Sequence, residues 1–206
     1  MRKTSLTTKV CVLALLAVLL TSCNTSNGEQ NTDKTLSDKT LSQEKKIVLK
    51  DNRYLYEHLS GEFVRDEDEV EDVTWYTPTK IWVFDEGGVC PIVMASTNGS
   101  SAAICFRYAG NDWVFMDKVI VKTDSNKYDL SLAGYEVKRD VRRLQGGFVE
   151  ERVYFDVTPE KYDMLKDIAD SNKTIVRFSG DKSYDLEVTD HNKQLIRTFV
   201  DCFKEE

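Results

Sequence analysis

The dipeptide Asn98-Gly99 separates two stretches that favour extended backbone, and it limits the folds open to this chain. "CPIVMAST" (90–97) precedes it and "SAAICFRYAG" (101–110) follows, both dense in apolar residues. Asn and Gly tolerate the positive φ angles of a tight hairpin turn, so the pair predicts two adjacent antiparallel strands. The flanking segments extend the pattern. "VEDVTWYT" (70–77) and "KIWVFD" (80–85) are rich in β-branched and aromatic residues, as strands are. "DWVFMDKVIVK" (112–122) has apolar residues on both alternating faces: Trp113, Phe115, Val119 and Val121 on one, Val114, Met116 and Ile120 on the other. This predicts a central strand covered on both sides. In "FVEERVYFDV" (148–157), Val149, Val153, Phe155 and Val157 share one face.

The periodicity then changes. Thr158-Pro159-Glu160 is a helix start, with a hydroxyl N-cap, proline at the first helical position and an acid in the first turn. Tyr162, Leu165, Ile168 and Ala169 follow at helical spacing. "KTIVRF" (173–178) returns to strand, turns at Ser179-Gly180-Asp181 and comes back through "SYDLEV". A last helix begins near Asp190, with Leu195, Ile196, Phe199, Val200 and Phe203 as its apolar face. The sum is an α+β fold, a largely antiparallel sheet packed by two late helices at about 158–171 and 190–204. No period of 20–50 residues points to a solenoid or propeller.

The globular part of the chain begins only at Ile47. Ahead of them, Arg2, Lys3 and Lys9 form a positive region, and Val10 to Leu20 are eleven uncharged, mostly apolar residues. As a helix that run would reach about 16 Å, against a hydrocarbon core about 30 Å thick. Its length and flanks suit a secretory signal. An ordinary peptidase frame would place bulky Leu20 where a small residue is wanted. Leu20-Thr21-Ser22-Cys23 instead resembles the lipobox of bacterial lipoproteins. The resemblance implies cleavage before Cys23, a diacylglycerol thioether on its thiol and acylation of its new amine, so that residues 1–22 are a signal peptide. Two or more chains anchor a protein stably where one does not. In a Gram-negative host, Asn24 after the cysteine implies the outer membrane.

Residues 24–46, "NTSNGEQNTDKTLSDKTLSQEKK", contain only two leucines as large apolar residues and repeat "DKTLS". Such a tract buries too little apolar surface to offset its ordering entropy. Residues 23–46 therefore read as a lipidated cysteine and a flexible tether, and 47–206 as one globular domain. Over roughly 111–203 the domain also resembles small secreted and lipid-anchored bacterial proteins of uncharacterised function. The likeness lies in a "DWVF" strand, a helix ending in "IADSNKTIVRFSGD" and a terminal helix. It implies a fold and no activity.

Losing Arg2, Lys3 and Lys9 with the signal takes the formal net charge from −7 to −10. That balance argues against nucleic acid, which requires a basic surface, and against an electrostatic contact with anionic lipid.

Catalytic signals are sparse. There are two histidines, His58 and His191, and no H-E-x-x-H, C-x-x-C or G-x-S-x-G pattern. A four-residue loop at 96–99 would place Cys90 opposite Cys105, so a disulfide is geometrically allowed. The alternative is two small buried residues. Cys202 reads as packed against the sheet, and three cysteines without paired spacing do not make a zinc site. Asp66, Glu67, Asp68, Glu69, Glu71 and Asp72 crowd one segment, which reads as a solvated loop or an acidic site. "KTDSNKYD" (122–129) reads as a hairpin turn. Trp75, Tyr76, Trp82 and Trp113, all on predicted strands, are core residues or, on an exposed sheet face, a platform for sugars.

No catalytic, cofactor or metal set emerges. The expectation is a cell-envelope lipoprotein held to the membrane by its lipid, with a non-catalytic domain for a protein or glycan partner. An envelope hydrolase using residues 66–72 and a purely structural lipoprotein are the alternatives. The lipobox reading has a direct check: Cys23→Ala loses metabolic lipid labelling and accumulates as uncleaved precursor, whereas normal labelling of that variant would refute it.

Overall fold

A computed structural model of the chain describes residues 45–79, 87–142 and 148–206. Cys23, the signal, the tether up to residue 44 and the strand expected over 80–85, with Trp82, lie outside the described residues.

The Asn98-Gly99 hairpin forms as expected. It joins β4 (Gly87–Ser96) to β5 (Ser101–Gly110), and Gly99 takes φ +143°, which a side chain would oppose. Around this pair a six-stranded sheet assembles in the order β2-β3-β4-β5-β9-β8. Its other members are β2 (Phe63–Asp68), β3 (Val73–Pro78), β8 (Lys138–Arg142) and β9 (Phe148–Asp156). A second sheet, ordered β11-β10-β6-β7, comprises β6 (Lys118–Lys122), β7 (Lys127–Ser131), β10 (Ile175–Ser179) and β11 (Ser183–Glu187). The short strands β1 (Ile47–Leu49) and β12 (Phe203–Glu205) pair with each other. Each of the pairings between these strands is antiparallel.

Three helices complete the described residues. α1 (Asn52–Leu59) is capped by Asp51, whose carboxylate accepts the Tyr54 N–H at 3.0 Å. α2 (Pro159–Asp170) starts behind Thr158, as the sequence predicts. α3 (Asp190–Val200) starts behind Thr189, whose hydroxyl accepts the Asn192 N–H at 3.2 Å. It is shorter than the helix expected to residue 204. Phe203 leaves the helical path to pair with Leu49, and Lys50 N–H donates to the Cys202 carbonyl at 2.8 Å.

One hydrophobic core runs through the described residues. The inner face of the six-stranded sheet carries Phe106, Tyr108, Val153 and Phe155. Tyr108 meets Phe178 of β10 and Tyr184 of β11, at ring distances of 5.9 and 5.1 Å. α3 packs on β4 through a buried amide: Asn192 Nδ2 donates to the Val89 carbonyl at 2.7 Å, and its Oδ1 accepts the Val89 N–H at 3.2 Å. The β3–β4 ladder ends at Tyr76–Val93, so Asn192 satisfies backbone groups beyond it.

That amide also bears on the cysteines. Cys90 and Cys105 are direct cross-strand partners, as the loop length implied, but they are buried thiols and not a disulfide. Val89 turns both backbone groups toward Asn192, so alternation turns those of Cys90 toward β5. Cys90 and Cys105 then form a hydrogen-bonded pair, whose side chains stand wider apart than in a non-hydrogen-bonded one. Burial pushes the Cys105 thiol up to about 12, and that of Cys202 likewise to about 12.

The strand expected over 112–122 is confined to β6. It is central in its sheet, yet only Val119 and Val121 are buried, while Lys118 and Lys122 on its other face are exposed. Residues 113–116 leave regular structure altogether, with Val114 and Met116 buried and Phe115 exposed.

Candidate binding site

The reason for that departure is Glu151. It lies on β9 between Val149 and Val153, on the apolar inner face, and its side chain has no exposed surface. An unpaired carboxylate there would cost several kcal/mol. Glu151 Oε1 accepts the N–H groups of Val114 at 2.7 Å and Phe115 at 2.8 Å, and Oε2 accepts that of Met116 at 2.9 Å. Arg139, its register partner on β8, donates from Nε to Oε2 at 3.3 Å. Three consecutive amides converge because Phe115 adopts φ +53°, which folds the backbone into an anion-holding nest. Positive φ is costly for a bulky residue, about 1–2 kcal/mol, and the carboxylate offsets that cost.

The rest of the loop is fastened as closely. Tyr108 donates its hydroxyl to the Asp112 carbonyl at 2.7 Å, and the Asp112 carboxylate accepts the Trp113 N–H at 2.9 Å and pairs with Lys182. The bond from Lys182 holds the Asp112 carboxyl below the usual carboxylate range. Burial, then the nearby charge of Glu151, pushes the Tyr108 hydroxyl up. Lys182 N–H donates to the Val114 carbonyl at 3.3 Å, and Asp117 N–H to that of Ser179 at 2.8 Å. The Val114 and Phe115 carbonyls press on Gly180, where any Cβ would collide with them.

This framework presents an aromatic ring to solvent. Phe115 is 47 % exposed. Trp113 stands 6.0 Å from it and the Arg139 guanidinium lies over its ring at 5.6 Å. Arg139 also lines an open groove of about 730 Å³, with Asp117, Lys118, Ser131, Tyr135 and Gly180 among the other walls. Clefts of roughly 300–1,000 Å³ hold small ligands. Tyr135 is 42 % exposed, and its ring is backed by Phe155 at 4.6 Å. A second hollow of about 610 Å³ lies between β1, the start of α1 and the Asn98-Gly99 turn, without an exposed large hydrophobic side chain in its lining.

Of the residues singled out in the sequence, Trp113 belongs to this loop, and the others fall elsewhere. Asp66, Glu67 and Asp68 lie on β2, an exposed edge strand, while Glu69, Glu71 and Asp72 form its turn. Asp68 accepts the N–H groups of Val70 and Glu71 at 3.0 and 3.2 Å, Glu67 pairs with Arg65, and Asp72 accepts the Thr97 hydroxyl. These carboxylates serve the turn and their neighbours. No group of three or more His, Cys, Asp or Glu able to hold a metal occurs among the described residues. His191 is exposed. His58 stacks on Tyr54 at 5.0 Å, with Nε2 4.0 Å from Asp201. Trp75 and Trp113 are half-buried against the core.

"KTDSNKYD" forms the β6–β7 turn as expected. Asp124 accepts the N–H groups of Asn172 and Lys173 at 2.7 and 3.1 Å, fixing the end of α2. Nearby Asp167 is penalised by burial, yet its bonds from Thr123, Asn126 and Tyr128 prevail and hold its carboxyl below the ordinary value.

On the other face of the six-stranded sheet, Arg107 and Glu150 form a buried ion pair at 2.9 Å, and Arg152 Nε lies 2.8 Å from Glu150. Tyr154, opposite Cys105, has its hydroxyl pKa raised by burial. Sequence reasoning passed over Glu150 and Glu151. The signal was there: a glutamate alternating with Val149 and Val153 must find partners or abandon the apolar face.

Comparison with protein-family models, with curated proteins and with solved structures returned no match.

The clamp has a measurable consequence. Glu151→Gln removes the charge and turns an amide donor toward backbone N–H groups, so unfolding stability falls by about 2–4 kcal/mol. Asp66→Asn on the exposed edge stays within about 0.5 kcal/mol of the parent. Urea unfolding of both variants checks this, and equal midpoints would contradict it.

Proposed function

We propose that the chain is a cell-envelope lipoprotein, anchored through lipid on Cys23, whose domain is a non-catalytic binding module for a protein or glycan partner. The address rests on the Leu20-Thr21-Ser22-Cys23 motif and the polar tether after it. The binding role rests on one observation: a buried carboxylate and a strained backbone hold Phe115 nearly half exposed beside a groove. Strained, over-determined residues concentrate at functional sites, and exposed aromatics with arginine are the side chains that anchor partners. The acids of residues 66–72 line an exposed strand and its turn, so the hydrolase alternative draws no support from their placement.

The reading is tested in cells with the full chain. A photo-crosslinking residue replaces Ala133, which lines the groove, or Ser183, on the exposed edge strand β11. Irradiation yields discrete protein or glycan adducts from position 133 and none from 183. The same pattern from both positions, or no adduct from either, would contradict a binding role for the groove.

A further inference from the structure

The groove's chemistry narrows the partner. Its walls carry charges of both signs. Asp117 and Lys118 are adjacent and exposed, and Arg139 stands with them. Arg139 commits Nε to Glu151, which leaves its two terminal amino groups in fixed orientation for a ligand. Ser131 and Ser179 add hydroxyls. A strongly anionic ligand would meet Asp117, and a cationic one would meet Lys118 and Arg139. Hydroxyl groups both donate and accept, so a polyhydroxylated neutral molecule satisfies both signs.

The rings add the second requirement. Tyr135 is backed by Phe155 on the core side and open on the other. Phe115 is backed by Trp113 and Arg139 and held by the Glu151 clamp. Both rings are packed against neighbours before any ligand arrives, which lowers the ordering entropy lost on binding. An amphipathic ring with one apolar C–H face and a rim of hydroxyls matches an aromatic surface beside mixed polar groups.

We infer that the groove between β6, β7 and β8 binds a neutral glycan, with sugar rings resting on Tyr135 and Phe115 and hydroxyls bonded to Asp117, Lys118 and Arg139. This rests on the binding-module reading and selects the glycan over the protein partner.

The test uses the full lipidated protein in zwitterionic detergent, free of sugar headgroups. Probes are neutral oligosaccharides of β-1,4-linked glucose, β-1,4-linked N-acetylglucosamine, α-1,4-linked glucose and α-1,6-linked mannose. A sulfated heparin fragment is the anionic comparator. Titration calorimetry is expected to show saturable binding of at least one neutral probe and weaker binding of the sulfated one. Phe115→Ala and Tyr135→Ala each weaken binding about tenfold, whereas Tyr56→Ala, an exposed ring on α1, leaves it unchanged. Hydrogen–deuterium exchange over β6 and β9 confirms that each variant is folded. Binding of no neutral probe, preference for the sulfated one, or affinities indifferent to Phe115 and Tyr135 would overturn the inference. Protein adducts at position 133 without glycan binding would overturn it while sparing the binding-module reading. Loss of both would remove both.

Discussion

Glu151 is a charge with no exposed surface, and the organisation of one end of the domain follows from how that charge is satisfied. Its oxygens take three successive backbone amides and one guanidinium nitrogen. Burying a carboxylate is expensive, and breaking such an arrangement from one side costs more than the arrangement itself contributes. The amides therefore have to stay, and so does the positive φ of Phe115 that aims them. A ring that would ordinarily be buried is left facing solvent.

The same carboxylate sets the neighbourhood of the groove. Glu151 faces Tyr108 on β5 and Arg139 on β8 in the ladder. Tyr108 holds Asp112 at the start of the loop, and Arg139 reaches from Glu151 to Phe115 and the groove wall. β6 begins where the clamp ends: Asp117 accepts the Leu132 N–H at 3.0 Å and donates its own to Ser179. The loop is thus bonded to both sheets. A one-residue slip of β9 would move Glu151 to the opposite face and dismantle all of these contacts.

Much of the architecture was legible because it depends on local chemistry. Asn98-Gly99 forms the turn, and Thr158-Pro159 starts α2, because turn and cap preferences act over a few residues. The α+β arrangement followed from the switch in period after residue 157. What was not legible depends on partners distant in sequence. Residues 113–116 read as strand from their apolar content, yet a glutamate some 35 positions later draws their amides away. Phe203 read as helix, yet β1 supplies a strand partner more than 150 residues earlier. Asp66 to Asp68 read as loop, because a charged run has low strand preference. As an exposed edge they are tolerated, and they discourage pairing with other chains. The candidate site was the least visible part. The tryptophans read as stacking platforms, but the exposed rings at the groove are Phe115 and Tyr135, and the exposure of Phe115 comes from the clamp.

The central claim is that Glu151 holds the 113–116 loop through its amides, and native-state hydrogen exchange of those amides tests it most directly. The N–H groups of Val114, Phe115 and Met116 lie outside helices and strands, so an unfastened loop would exchange them near the free-peptide rate. Held by the carboxylate, they are expected to be protected to a degree comparable with the N–H groups of β9. Exchange of all three at the free-peptide rate, with β9 protected, would contradict the account.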